Sequence, residues 1–208
     1  MVDVLRWEKL VALILYNNNI NKYHKKALWN HPHLAYIDLS DNAGIQLPSA
    51  ENAISLPSLL IFAFANNTVN INTPFHSKSF PYLTDLYLSG NNLMVFPDKS
   101  LRTTLMYLGV ARCRLKHLPS YLAQFKLLQY LDARDNNIST VTDDLKTLIK
   151  TNEMESYFSG NTLCHGNDAL SCKPMCSKYC FSESVLNDGV CHEQCNSREC
   201  DYDGGDCL

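Results

Sequence analysis

Leu83-Thr84-Asp85-Leu86-Tyr87-Leu88-Ser89-Gly90-Asn91-Asn92-Leu93 is the stretch that decides the fold. Its apolar residues and asparagine follow the order L-x-x-L-x-L-x-x-N-x-L. The same order returns at Leu10, Leu13, Leu15, Asn18, Ile20 and at Leu59, Phe62, Phe64, Asn67, Val69. It returns at Leu105, Leu108, Val110, Cys113, Leu115, with Cys in the Asn slot, and at Leu128, Leu131, Ala133, Asn136, Ile138. Leu34, Ile37, Leu39 and Asn42 match with one extra residue before Ile45, and Ser156, Phe158, Asn161 and Leu163 form a weak seventh copy. First positions fall at 10, 34, 59, 83, 105 and 128. A fixed period of this length marks stacked units, because no single copy can bury its own apolar face.

The six copies in one register resemble the leucine-rich repeat family over roughly residues 10–163. The resemblance implies an α/β solenoid, a horseshoe segment with one short strand per copy and a returning loop or short helix on the convex side. The Asn slot has a physical reason, since a buried amide both donates to and accepts from loop backbone groups. Cys113 reads as a small buried thiol in that slot and not as a nucleophile.

Strand residues facing away from the core are expected to line a concave surface. The variable positions of the template place Tyr16, Tyr36, Tyr87, Tyr107, Tyr130 and Tyr157 there, joined by Asp38, Asp85, Asp132, Arg112 and Arg134. Tyr and Arg anchor protein interfaces by burying area while keeping a polar tip. Tyr also simply favours strands. The expected occupant of this face is a protein ligand.

Past Leu163 the chemistry changes. Eight of the nine cysteines lie between Cys164 and Cys207. Cys164 and Cys172 follow the last copy as in the cysteine-bearing caps of such repeats, and they are expected to pair and seal its apolar end. Residues 164–175 are thus read as cap and linker, 1–163 as repeats and 176–208 as a second module. Residues 176–208 carry a net charge of −5 within a chain total of −3, so the repeats and cap are slightly basic. Between Cys176 and Cys207 only Tyr179, Phe181, Val185, Leu186, Val190 and Tyr202 are sizeable apolar residues. So small an apolar set cannot form a self-sufficient core, and disulfides, a metal or both must hold it.

Six cysteines allow 15 pairings, and spacing alone does not choose among them. Asn187-Asp188-Gly189-Val190-Cys191, Cys195-Asn196 and Asp203-Gly204-Gly205-Asp206-Cys207 resemble a Lin-12/Notch repeat (LNR). That resemblance implies the pairs Cys176–Cys200, Cys180–Cys195 and Cys191–Cys207. It also implies one Ca²⁺ held by Asp188, Asp203, Asp206 and the Val190 carbonyl, with His192 standing where many members carry Asp. Carboxylate oxygens suit Ca²⁺, and two glycines let the backbone turn tightly between Asp203 and Asp206. Other readings fit less well. An EF-hand loop is broken by Gly205 and Asp206, and a zinc site from Cys191, His192, Cys195 and Cys200 would leave the aspartates without a role.

Composition excludes other classes. A net charge of −3 supplies no global basic field for nucleic acid. The longest apolar run, Leu10–Tyr16, has seven residues, whereas a membrane-spanning helix needs roughly 20. No catalytic motif pairs a nucleophile with a base. Paired cysteines and a calcium site imply an extracellular or cell-surface setting. Without a visible signal peptide, the chain reads as an incomplete copy of a longer secreted or membrane-anchored protein. The leading expectation is a non-enzymatic recognition module of a receptor or adhesion ectodomain. The alternatives are a shielding module of a Notch-like membrane protein and an accessory specificity domain of a larger enzyme.

Overall fold

In Leu83–Leu93 the template leucines face one way because side chains alternate along a short strand. Leu83, Leu86 and Leu88 are fully buried and Leu93 nearly so. The computed structural model describes residues 9–22, 29, 31–48, 54–151, 154–164, 172, 189–193 and 195–207. The chain divides into two compact units, Met1–Ser171 and Cys172–Leu208.

In the first unit each copy contributes one three-residue strand. These are β1 (Ala12–Ile14), β2 (Tyr36–Asp38), β3 (Ile61–Ala63), β5 (Asp85–Tyr87), β7 (Tyr107–Gly109), β8 (Tyr130–Asp132) and β9 (Glu155–Tyr157). They pair in parallel in chain order, so each copy lies beside the next. A second parallel pair, β4 (Asn70–Ile71) with β6 (Asn92–Leu93), runs along the turns that follow. The central residues Leu13, Ile37, Phe62, Leu86, Leu108, Leu131 and Ser156 form one buried row. Ser156 replaces the aliphatic residue in the weakest copy, and its hydroxyl is buried without a hydrogen-bond partner among the described residues.

The returning segments supply the other side of the core. Phe62 packs against Trp29, Phe64, Phe75 and Phe80 with ring centroids 5.6–6.4 Å apart. Later copies return through 3₁₀ turns at Lys99–Thr103 and Ser120–Gln124 and then through α1 (Asp143–Lys150). The Thr142 hydroxyl caps α1 by accepting from the Leu145 amide, and Leu145 and Ile149, four apart, are its buried face.

The Asn slot forms a buried spine. Each amide nitrogen donates to carbonyls of its own copy and of the copy before. Asn67 Nδ2 reaches Phe64 O at 3.2 Å and Leu39 O at 3.1 Å; Asn91 Nδ2 reaches Leu88 O at 3.0 Å and Phe64 O at 2.7 Å. Each amide oxygen accepts from the preceding turn, as Asn42 Oδ1 does from the Asn18 and Ile20 amides and Asn136 Oδ1 from those of Cys113 and Leu115. The Cys113 thiol keeps the donor role, donating to Leu88 O at 3.3 Å. It lacks the amide oxygen, and the Leu93 amide turns instead to the Cys113 carbonyl at 3.3 Å.

The residue before each slot adopts a left-handed conformation: Asn17, Asp41, Asn66, Gly90, Arg112, Asp135 and Gly160 all have positive φ. At Gly90 a Cβ would lie 2.3 Å from Asn66 Oδ1 and 3.1 Å from the Asn66 Cα, so contact with the preceding copy favours glycine there, while the torsion itself is adopted by Asn, Asp and Arg in other copies.

In the second unit a 3₁₀ turn at Arg198–Cys200 runs into a turn over Asp201–Gly204. Tyr202 and Asp203 are left-handed at φ 53° and 64°, followed by Gly204 and Gly205 at 63° and 103°. The fold class is α/β: a parallel sheet of repeats and a small disulfide-bonded unit.

Candidate functional site

On the sheet face opposite the core, the register builds two rows. One runs Ala12, Tyr36, Ile61, Asp85, Tyr107, Tyr130, Glu155; the other runs Ile14, Asp38, Ala63, Tyr87, Gly109, Asp132, Tyr157. Four of the expected tyrosines join into a continuous ladder. Ring centroids are 4.4 Å apart for Tyr87–Tyr107, 4.4 Å for Tyr107–Tyr130 and 5.3 Å for Tyr130–Tyr157. The Tyr87–Tyr107 contact runs diagonally between the two rows, with Gly109 as the register neighbour of Tyr87.

Burial is graded along the ladder. Tyr87 and Tyr107 are half-buried, whereas Tyr130 and Tyr157 are 8% and 4% exposed. Burial, then the Asp85 charge, pushes the Tyr87 phenol up to about 12. Burial raises Tyr107 and Tyr130 further, with the charge of Asp132 adding to both. Tyr36, beside Asp38, is also raised, first by burial and then by that carboxylate.

Asp132 and Arg134 are a buried pair. Arg134 Nε donates to Asp132 Oδ1 at 2.9 Å and Nη2 to Oδ2 at 2.8 Å, a two-pronged match. The guanidinium lies 5.8 Å from the Tyr157 ring centroid. At the ladder's end the Tyr157 hydroxyl donates to Glu155. This half of the face is therefore hydrogen-bonded and largely covered. The accessible half carries Tyr36, Asp38, Asp85 and Tyr87.

Three expected face residues stand off the strands, Tyr16, Arg112 and Arg134, the last folded back onto Asp132. Tyr16 follows β1 by two residues, in a turn, and is 57% exposed. Arg112 is the left-handed residue after β7 and sits on the turn edge with Arg114 and Lys116, two residues that the strand-face reading omitted. Their alternation with buried Cys113 and Leu115 is the signal that could have found them.

In the second unit Cys191 and Cys207 form a disulfide with Cα atoms 4.8 Å apart. Cys164, Cys172, Cys195 and Cys200 are also disulfide-bonded. Cys176, Cys180 and Asp188 lie outside the described residues. Asp203 is fully buried; its Oδ2 accepts from the His192 amide at 2.5 Å and lies 3.1 Å from His192 Nδ1. Its Oδ1 is buried with no hydrogen-bond partner among the described residues. Asp206 Oδ2 accepts from the Gly189 amide at 2.9 Å, which draws the two ends of the loop together. A fully buried carboxylate with a partnerless oxygen is costly unless a cation meets it. Carboxylate oxygens such as those of Asp203 and Asp206 are the donor type that suits Ca²⁺, although among the described residues no three His, Cys, Asp or Glu side chains gather as a metal cluster.

Residues 171–208 match the family model described as the LNR domain of Notch. The chain is similar to human Toll-like receptor 2, with 29% identity over 153 residues, 63% of this chain and 19% of the receptor. It is similar to Arabidopsis thaliana receptor-like protein 18, with 32% identity over 145 residues, 66% of this chain and 17% of that protein. The chain thus spans about a fifth of the length of the curated relatives it matches. Leucine-rich repeats joined to a C-terminal LNR domain are what sequence, register and likeness together describe.

Proposed function

We propose that this chain is a non-enzymatic, extracellular recognition module that holds a protein ligand on the strand face. In this reading the copies wind as a horseshoe and that face is its concave side. The observation that carries the reading is the tyrosine ladder, a preorganised aromatic strip that runs from a covered end to the accessible group Tyr36, Asp38, Asp85 and Tyr87. Rigid aromatics beside carboxylates offer contact area at small entropic cost. Relatives named as receptors and an LNR domain support a receptor-type role, and disulfides support an oxidising, cell-surface setting. Among the described residues no helix is long and apolar enough to cross a membrane.

The test is to probe a displayed panel of secreted and cell-surface ectodomains with the chain. Tyr36→Ala with Tyr87→Ala should weaken the retained partner at least about tenfold, the loss of a modest hot spot. A partner indifferent to both changes would overturn the assignment.

The LNR domain is proposed to hold one Ca²⁺ through Asp203 and Asp206, with Asp188 and the Val190 carbonyl completing the set. Titration calorimetry should then give about one ion per chain. Asp203→Asn with Asp206→Asn should abolish that binding, and unchanged affinity in the double variant would remove the site.

A further inference from the structure

After β7 the chain runs Arg112-Cys113-Arg114-Leu115-Lys116. Cys113 and Leu115 are buried, so alternation leaves Arg112, Arg114 and Lys116 exposed along one edge. They border an open cleft of about 490 Å³ whose remaining lining is Asp135, Asn136 and Asn137. Among the described residues no carboxylate stands within ion-pair distance of these cations. Arg112 Nη2 reaches only the neutral Asn66 Oδ1, at 3.5 Å. The cleft therefore presents three cations against one carboxylate.

The backbone does not ask for arginine here. At the corresponding left-handed position the other copies carry Asn17, Asp41, Asn66, Gly90, Asp135 and Gly160, types that tolerate positive φ. Arg112 adopts it at φ 53°, and Arg114 does so again at φ 60°. Equivalent exposed positions elsewhere are neutral: Thr68 and Asn70, Asn92 and Met94, Asn137 and Ser139. Basic charge is thus concentrated on one copy, at a conformational cost, and left unpaired beside a cleft.

We propose that this cleft binds a sulfated saccharide. Guanidinium forks match sulfate oxygens two at a time, and Lys116 adds a point charge. The Asn137 side-chain nitrogen, free among the described residues while its oxygen accepts from Thr162, suits sugar hydroxyls. The lining contains no aromatic ring, so it offers none of the stacking platforms on which single-stranded nucleic acid depends. A cleft open along the edge admits a segment of an extended chain, and the disulfides place the protein where such glycans are secreted.

The test uses the full chain in calcium-containing buffer with a fully sulfated heparin hexasaccharide as the probe and its desulfated counterpart as control. The variant combines Arg112→Asn, Arg114→Asn and Lys116→Gln. Asn relieves the left-handed strain, so thermal melting should be retained. The expected result is binding of the sulfated probe that falls at least about tenfold in the variant, with a flatter salt dependence. Tyr36→Ala with Tyr87→Ala should leave it intact, which separates this site from the strand face. Equal binding by the variant, equal binding of the desulfated probe, tighter binding of single-stranded DNA, or no binding by the parent chain would each overturn the proposal.

Discussion

Cys113 shows how one altered side chain in the slot propagates through a hydrogen-bond spine. Sulfur keeps the donor to Leu88 O but has no amide oxygen to offer the preceding turn, and the Leu93 amide pairs with the Cys113 carbonyl. Burial pushes the thiol up to about 12, so it is protonated and unreactive at neutral pH. Iodoacetamide should therefore spare Cys113 in the native chain and label it only after unfolding, as read by intact mass; rapid native labelling would contradict the burial. Cys113→Ala should lower stability by about 1–2 kcal/mol in a urea melt, since it removes one of the two donors to Leu88 O, the Asn91 amide remaining, and opens a small void.

At the scale of the strand, the ladder couples fold to pH. Tyr87, Tyr107 and Tyr130 have native phenols raised above the ordinary value of 10, whereas the unfolded chain ionises there. A raised native value means stability is complete below about pH 10 and is lost as pH climbs toward 12 and beyond. Phenolate absorbance of the native chain should accordingly titrate later than that of the urea-unfolded chain; coincident curves would count against a buried ladder. The strands themselves were legible in the sequence because the leucine spacing fixes which residues alternate inward. The face was legible only while that alternation lasted. It ends with the strand, so Tyr16 falls in a turn, and the left-handed step at Arg112 takes that side chain to the edge. The contact of Tyr87 with Tyr107 also lay beyond the template, because it runs diagonally across the register between residues that are not direct partners. Asp132 reads as an exposed acid from its strand position, yet Arg134 folds back and covers it.

For the molecule as a whole, the two units depend on different physics. The repeats bury rows of leucine and phenylalanine, while the small unit is cross-linked and buries Asp203, whose second oxygen has no hydrogen-bond partner among the described residues. The Asn spine gives the repeats a direction. Asn42, Asn67, Asn91, Asn136 and Asn161 all reach back to the copy before them, and their oxygens accept from that earlier turn. Each turn is sealed by its successor. A nascent chain emerges from its N-terminal end, so each copy that precedes an asparagine slot leaves the ribosome with donors that await the next asparagine. Shortening the protein from its two ends should then be unequal. Removal of the first copy leaves all remaining seals in place, whereas stopping before Asn161 strips the Ile138 amide and the Ala133 carbonyl of their shared partner. Hydrogen exchange on matched truncations should find the newly exposed C-terminal turn frayed and the newly exposed N-terminal turn protected, an arrow of assembly written into the amide side chains.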